Sequence, residues 1–322
     1  MIQRVCVVGA GAIGSLCAAH LARVTEVCLL TRREEHAQAV NAEGLRISGR
    51  HAFTADVFAT ADPAELPEFD VGILATKGTQ LEAAAEALAG RFSGAAMMTI
   101  QNGLGAEEIV RRHGGWPLVS SVTFMSGTRH SDTHVEYILD TATWLGPYAG
   151  ASYALVEELA ALFVSSGLRA EAFPDLRPAQ WSKLIFNATV NAVAALTGLP
   201  HDPHFAAEER LEDLGNLVHE LVDEGKLVAA AAGVELHEDP WEMNVLATRR
   251  GSAHSPSMLE DVEARRPTEI DLITGSLVRE AARVGVPVPL HTALLRLIVA
   301  KEDSWRTPTN VERERPVSVG TS

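Results

Sequence analysis

The sequence predicts an α/β fold, with a doubly wound parallel sheet over residues 1–173 followed by an all-helical C-terminal domain over residues 174–305. Three observations carry this expectation. The 322 residues fill two domains at about 150 each. Apolar runs in the first half lack polar alternation, the mark of strands covered on both faces by crossover helices. Beyond about residue 175, helical periodicity continues without a strand pattern.

The elements follow in order. Residues 5–8 form an apolar strand, 12–23 a helix and 27–30 a second strand. Strand then helix recurs at 71–75 with 80–88, and again at 97–100 with 105–112. The runs 118–123, 135–139 and 143–145 read as strands on a mixed edge of the same sheet, and 154–166 as a helix leading out. Phe173-Pro174-Asp175 marks the domain boundary. Helices are then predicted at 178–196, 208–232, 241–249, 258–264, 269–284 and 292–302. Residues 306–322 hold two prolines and little apolar content, which predicts a loosely ordered tail.

Composition narrows the function classes. Hydrophobic residues make up 47% and charged ones 21%, so a disordered chain is excluded. Lys plus Arg number 27 against 42 Asp plus Glu, a net charge of −15 that repels nucleic acids and anionic membranes. No apolar run approaches the roughly 20 residues that span a bilayer. The first strand starts almost at Met1, with no signal peptide ahead of it. Cys6, Cys17 and Cys28 are an odd count without CxxC spacing, which suits neither a disulfide framework nor a zinc site. The expectation is a soluble cytoplasmic protein without a metal.

Gly9-Ala10-Gly11-Ala12-Ile13-Gly14 matches G-x-G-x-x-G between an apolar strand and a helix, the context of a Rossmann-type dinucleotide site. Gly9 permits the tight turn, Gly11 the approach of a pyrophosphate, and Gly14 close helix–strand packing. The helix start at Ala12 and Ile13 offers amide donors and positive partial charge. The alternative is a glycine turn with no ligand. After the second strand, where NAD enzymes place an acid, this chain has Thr31-Arg32-Arg33. Arg32 can pair with a 2′-phosphate, so NADP (NADPH) is the expected cofactor. Both arginines could instead face solvent, neutralised by Glu34 and Glu35.

With 4 lysines against 23 arginines, each lysine is informative. Lys226 and Lys301 sit in acid-rich helices and read as surface charges. Lys77 ends the strand run 72–77, and Asn102-Gly103 holds the equivalent place after the next strand. That carboxyl edge is where open α/β sheets bind ligands. Lys183, Asn187 and Asn191 fall at i, i+4 and i+8, a slanting stripe that turns about 40° per step on an otherwise apolar helix. Amides in such a setting need partners, supplied either by a substrate in a cleft or by a buried network between helices. The stretches 257–260 and 268–271 have the pattern of capping boxes, so Ser257 and Glu269 read either as helix-start residues or as part of a carboxylate receptor.

Together these pieces resemble the ketopantoate reductase (2-dehydropantoate 2-reductase) family, from the first strand to about Glu302. The glycine motif is widely shared. Lys183-x-x-x-Asn187-x-x-x-Asn191, then Ser257-Met258 and Thr268-Glu269-Ile270-Asp271, is much more specific. The resemblance implies an NADPH-dependent oxidoreductase of pantothenate biosynthesis that reduces ketopantoate at its C2 ketone. It implies Lys183 as general acid, and Asn187, Asn191, Ser257 and Asn102 around the substrate. It also implies Glu269 closing the site beside cofactor and substrate, with Lys77 and Asn102 on the cofactor side. His201 and His254 stand where members often carry Asn, and the 134–140 segment lacks the usual glycines and histidine. Ketopantoate could therefore give way to another 2-keto acid.

Two further readings stay open. One is a β-hydroxyacid dehydrogenase type enzyme, against which Ala179-Gln180-Trp181-Ser182 before the lysine counts. The other is a non-catalytic NADPH-binding sensor. The expected partner is a small-molecule 2-keto acid, not nucleic acid or membrane, and a homodimer is left open.

Overall fold

The computed structural model describes residues 1–206, 213–249 and 255–306. Strand β1 (Arg4–Val8) runs through the interior, with Val5 to Val8 all buried. Helix α1 (Ala12–Leu21) opens after the glycine turn, and β2 (Glu26–Leu30) returns parallel to β1. Helix α2 (Glu34–Glu43) and three short strands follow, β3 (Leu45–Gly49), β4 (Phe53–Ala55) and β5 (Phe58–Thr60). The alternation resumes with β6 (Val71–Leu74), α3 (Gly78–Ala87), β7 (Ala96–Thr99) and α4 (Ala106–Arg111). Strands β8 (Leu118–Thr123), β9 (Ser126–Arg129), β10 (His134–Leu139) and β11 (Thr143–Pro147) come next. Helix α5 (Tyr153–Ser165) and β12 (Ala170–Ala172) complete this half.

The main sheet has eight strands in the order β12-β11-β8-β7-β6-β1-β2-β5. Every pairing is parallel except β11 with β8. The chain winds outward from β1 in both directions, the doubly wound arrangement the sequence predicts. One expectation needs correction: residues 135–139 are not an edge of that sheet. Strand β10 belongs to a second sheet, ordered β4-β3-β10-β9, which packs on α1. Its burial explains why. Val135 and Tyr137 are buried while His134, Glu136 and Ile138 are half-exposed, the alternation of a sheet covered on one face. The pattern does not predict the strands β3, β4, β5, β9 and β12, each of three to five residues, nor α2, whose ten residues bury only His36, Ala37 and Val40.

Among the described residues, everything after β12 is helical: α6 (Arg177–Thr197), α7 (Asp213–Ala231), α8 (Pro240–Arg249), α9 (Ser257–Glu263), α10 (Ser276–Val284) and α11 (Pro289–Arg306), with short turns between. Helix α6 is the hub. Every residue from Trp181 to Ala195 except Phe186 is buried, and the helix stops at Gly198 in the left-handed region (φ +73°). Helix α7 crosses it closely at Gly225, where a Cβ would come within 2.6 Å of Ile185. The expected tail lies outside the described residues apart from Arg306, as does the 208–212 start of the expected helix. Lys301 is not a free surface charge: its Nζ donates to the carbonyl of Ala195 at 3.1 Å, near the carboxyl end of α6.

The predicted helix over 269–284 starts at Asp271 and opens with a different winding before α10. Asp271–Gly275 is a π-turn, closed by the Gly275 N–H donating to the Ile270 carbonyl at 2.9 Å. No helix of the described residues is long and apolar enough to cross a membrane.

Candidate active site

The carboxyl ends of β1, β6, β7 and β8 all open toward α6, α9 and the π-turn. At β1 the glycines differ in what they permit. A Cβ on Gly14 would collide with the Gly9 carbonyl, so α1 can pack this close only with glycine there. Gly9 takes φ +107° and would meet Thr76 N at 2.9 Å. Gly11 has nothing within 4 Å, so neither packing nor a strained φ requires glycine there. What the open space offers is direct access to the backbone at the N-terminus of α1. Thr76 Oγ1, buried beside it, has no hydrogen-bond partner among the described residues. These features fit a pyrophosphate held on the N–H groups of Ala12 and Ile13.

Beyond β2 the two arginines part company. Arg33 Nη2 donates to both carboxylate oxygens of Asp132 at 2.7 Å. Arg32 is exposed and pairs with nothing among the described residues. Glu34 accepts from Gln38 at 3.0 Å, and neither Glu34 nor Glu35 ion-pairs with Arg32 or Arg33 among the described residues.

The ends of β6 and β7 are stitched together and to the helical half. Gln101 Nε2 donates to the carbonyls of Leu74 (2.7 Å) and Thr76 (2.9 Å). Gly103, at φ +94°, lets the Leu272 carbonyl lie where a Cβ would be, and the Leu104 N–H donates to that carbonyl at 3.0 Å. The same carbonyl, in the π-turn, also accepts the Ser276 hydroxyl at 2.7 Å. Lys77, at the N-cap of α3, is half-exposed and ion-paired with both oxygens of the buried Asp261 on α9, which Arg266 also meets at 3.1 Å. Glu269 receives the Gly78 N–H at 2.8 Å and Asn102 Nδ2 at 3.3 Å. Asn187 Nδ2 in turn donates to Asn102 Oδ1 at 3.4 Å. The structure thus joins Glu269, Asn102 and Asn187 in one chain across the cleft.

Lys183 lies at the far end of this chain. It is buried, its Nζ donates to the Thr123 carbonyl at the end of β8, and it sits 5.0 Å above the Phe124 ring. No carboxylate pairs with it among the described residues. Burial pushes its amine down to about 8, with the negative charge of Glu269 pulling the other way. That shift corresponds to about 3 kcal/mol of bias toward the neutral form. Asn191, two turns on from Lys183, is buried and makes no hydrogen bond among the described residues.

Sequence comparison assigns this arrangement to a family. The family described as "Ketopantoate reductase PanE/ApbA" matches residues 5–150, and its C-terminal counterpart matches residues 175–302. The chain is a member of the ketopantoate reductase family. It is accordingly a nicotinamide-dependent oxidoreductase acting on a CH–OH group. A 2-dehydropantoate 2-reductase of Pyrococcus horikoshii is 29% identical over 301 residues, covering 93% of this chain and 98% of that one. The crystal structure of a PanE/ApbA family ketopantoate reductase from Ralstonia eutropha JMP134 superposes with a TM-score of 0.84 at 28% identity, covering 95% of this chain and all of the other. That of 2-dehydropantoate 2-reductase from Methylococcus capsulatus gives 0.83 at 27% identity, covering 95% and 99%.

Other predicted residues of this ketopantoate reductase family member stand apart. Ser257 is exposed in the first turn of α9, where Pro256 holds the cap position, so it is not the N-cap of a capping box. Thr268 does accept from the Ile270 N–H at 3.2 Å, but Asp271 turns away to Arg279, so no box forms there either. Of the two histidines, His254 lies outside the described residues. His201 has its Nε2 within 2.8 Å of Asn244 Oδ1 and its ring edge-on to Phe186 and Phe205; burial lowers its basicity. Residues the sequence does not single out include Asp261, Gln180 and Glu107. Gln180 Nε2 donates to the buried Glu107 carboxylate at 3.3 Å, linking α6 to α4. Asp261 had a signal: it lies four residues after Ser257, an acid within an otherwise apolar helical face.

Proposed function

We propose that the protein reduces ketopantoate to pantoate with NADPH, with Lys183 as general acid toward the C2 ketone. NADPH, when bound, supplies the hydride. The N–H groups of Ala12 and Ile13 take the pyrophosphate, and the unpaired Arg32 takes the 2′-phosphate. Residues 1–173 are the cofactor domain in this reading, and residues 174–305 carry the substrate and the acid.

One observation carries the proposal: a buried lysine amine with no paired carboxylate, held where β8 meets α6 and facing the amides that could hold substrate. An amine that titrates near 8 is mostly protonated at neutral pH yet gives up its proton readily. Its charge also steadies the developing alkoxide. Asn187, Asn191 and Ser257 hold the substrate's carboxylate and hydroxyl. Glu269, anchored by Gly78 and Asn102, closes the site from the cofactor side.

His201 favours a second reading, reduction of another 2-keto acid. Its Nε2 is engaged by Asn244, so it does not offer the substrate the amide that family members often place there. Steady-state rates on ketopantoate and a panel of 2-keto acids separate the two. Ketopantoate having the highest kcat/KM supports the first, and any other acid exceeding it supports the second.

A further inference from the structure

The hairpin between β9 and β10 reaches the end of β2 and ends on one carboxylate. Arg33 Nη2 contacts both oxygens of Asp132 at 2.7 Å, and Arg129 Nη1 donates to Oδ1 at 2.8 Å. His36, at the start of α2, faces the same residue: one ring nitrogen is 2.9 Å from the Asp132 carbonyl and the other 3.6 Å from its carboxylate. Burial makes His36 a weaker base than usual. Burial works against the charged form of Asp132 too, but the Arg33 bond and the surrounding positive groups outweigh it and hold the carboxyl below its ordinary range. Arg33 is therefore ion-paired, sharing the Asp132 carboxylate with Arg129, whereas its neighbour Arg32 is exposed and has no ion-pair partner among the described residues.

We propose that Asp132 sets the cofactor specificity of this protein by holding Arg33 away from the 2′-phosphate, so that Arg32 alone discriminates NADPH from NADH. This rests on the NADPH reading above and extends it. A carboxylate that takes Nη2 with both of its oxygens competes with a phosphate for that edge of the guanidinium. Arg33 is the first cap residue of α2 and adjoins Arg32, so releasing it places a second guanidinium beside the first. The hairpin thus tunes cofactor affinity from a part of the chain that does not belong to the dinucleotide motif.

The test is equilibrium binding of NADPH and NADH to the purified protein, read by quenching of tryptophan fluorescence. In the wild type, Arg32→Ala weakens NADPH by about 30-fold or more, while Arg33→Ala changes it less than about threefold. Asp132→Asn tightens NADPH by about five- to tenfold and leaves NADH unchanged. In the Asp132→Asn/Arg33→Ala double variant that gain disappears. Arg129→Ala, which also loosens the hairpin but keeps the Asp132–Arg33 pair, leaves NADPH affinity unchanged. An Asp132→Asn gain that is absent, or that survives loss of Arg33, overturns the proposal. Wild-type protein that binds NADH as tightly as NADPH overturns the underlying NADPH reading instead, while the single-versus-double comparison still decides the role of Asp132.

Discussion

The glycine turn after β1 and the Lys183 face of α6 border one cleft but are made of opposite materials. At the turn, the ligand-facing surface is backbone: side chains are absent so that N–H groups and a close helix can be reached. On α6 the surface is side chain, with one amine and two amides set in an apolar helix. The contrast extends to the two cleft lysines. Lys77 is half-exposed and neutralised by Asp261, whereas Lys183 is buried and meets only a carbonyl and an aromatic ring. Charge that is matched holds the two halves together. Charge left unmatched in a dry site is available for proton transfer.

The largest expected effect tests the division directly. Lys183→Ala lowers kcat by about 10²- to 10⁴-fold and leaves NADPH affinity within about threefold, because the acid and the cofactor site are separate constructions. Equal losses in kcat and cofactor affinity would break the comparison. The glycines sharpen it. Gly14→Ala costs about 2 kcal/mol or more in denaturant unfolding, since its Cβ meets fixed backbone. Gly11→Ala leaves the unfolding midpoint unchanged, because its Cβ meets open space, yet weakens NADPH by about tenfold. A Gly11 variant that unfolds early but binds normally would make that position structural.

The pH profile gives the next effect. Burial lowers the Lys183 amine to about 8, so the acid is present below that pH and lost above it. The kcat/KM for keto-acid reduction is then flat below about pH 7 and falls by about tenfold per unit well above 8. Oxidation of the hydroxy acid, which needs the neutral amine, rises through the same range. An unchanged profile across pH 7 to 10 would remove Lys183 from the proton path. The smallest effect belongs to Lys77→Ala, which costs about 1 kcal/mol of stability because Asp261 keeps Arg266 as a partner. A loss of kcat as large as that from Lys183→Ala would mean that Lys77 does chemistry rather than docking.

The fold was legible where burial is symmetric. The buried apolar runs of β1, β6 and β7 announce a parallel sheet, and the glycine motif announces the turn between β1 and α1. The small second sheet is not, because strands of three to six residues with one covered face carry little pattern, and the sequence places β10 on the edge of the main sheet. The stripe on α6 was readable because helical spacing alone puts Lys183, Asn187 and Asn191 on one face. Its partners were not. Thr123 and Phe124 lie 60 and 59 positions from Lys183, and Asn102 lies 85 from Asn187; the Asp261 bridge to Lys77, equally hidden, spans 184. The π-turn at Asp271–Gly275 was also invisible, since its extra residue answers to Leu104 across the cleft rather than to local propensity.

The central claim is tested most directly by the rate at which purified protein consumes NADPH when offered ketopantoate, with NADH measured alongside. Efficient turnover with NADPH, and at least about tenfold lower kcat/KM with NADH, is the predicted result. Tight NADPH binding without turnover of ketopantoate or any other 2-keto acid would contradict it, and would leave a protein that keeps the cofactor site and the fold but not the reaction.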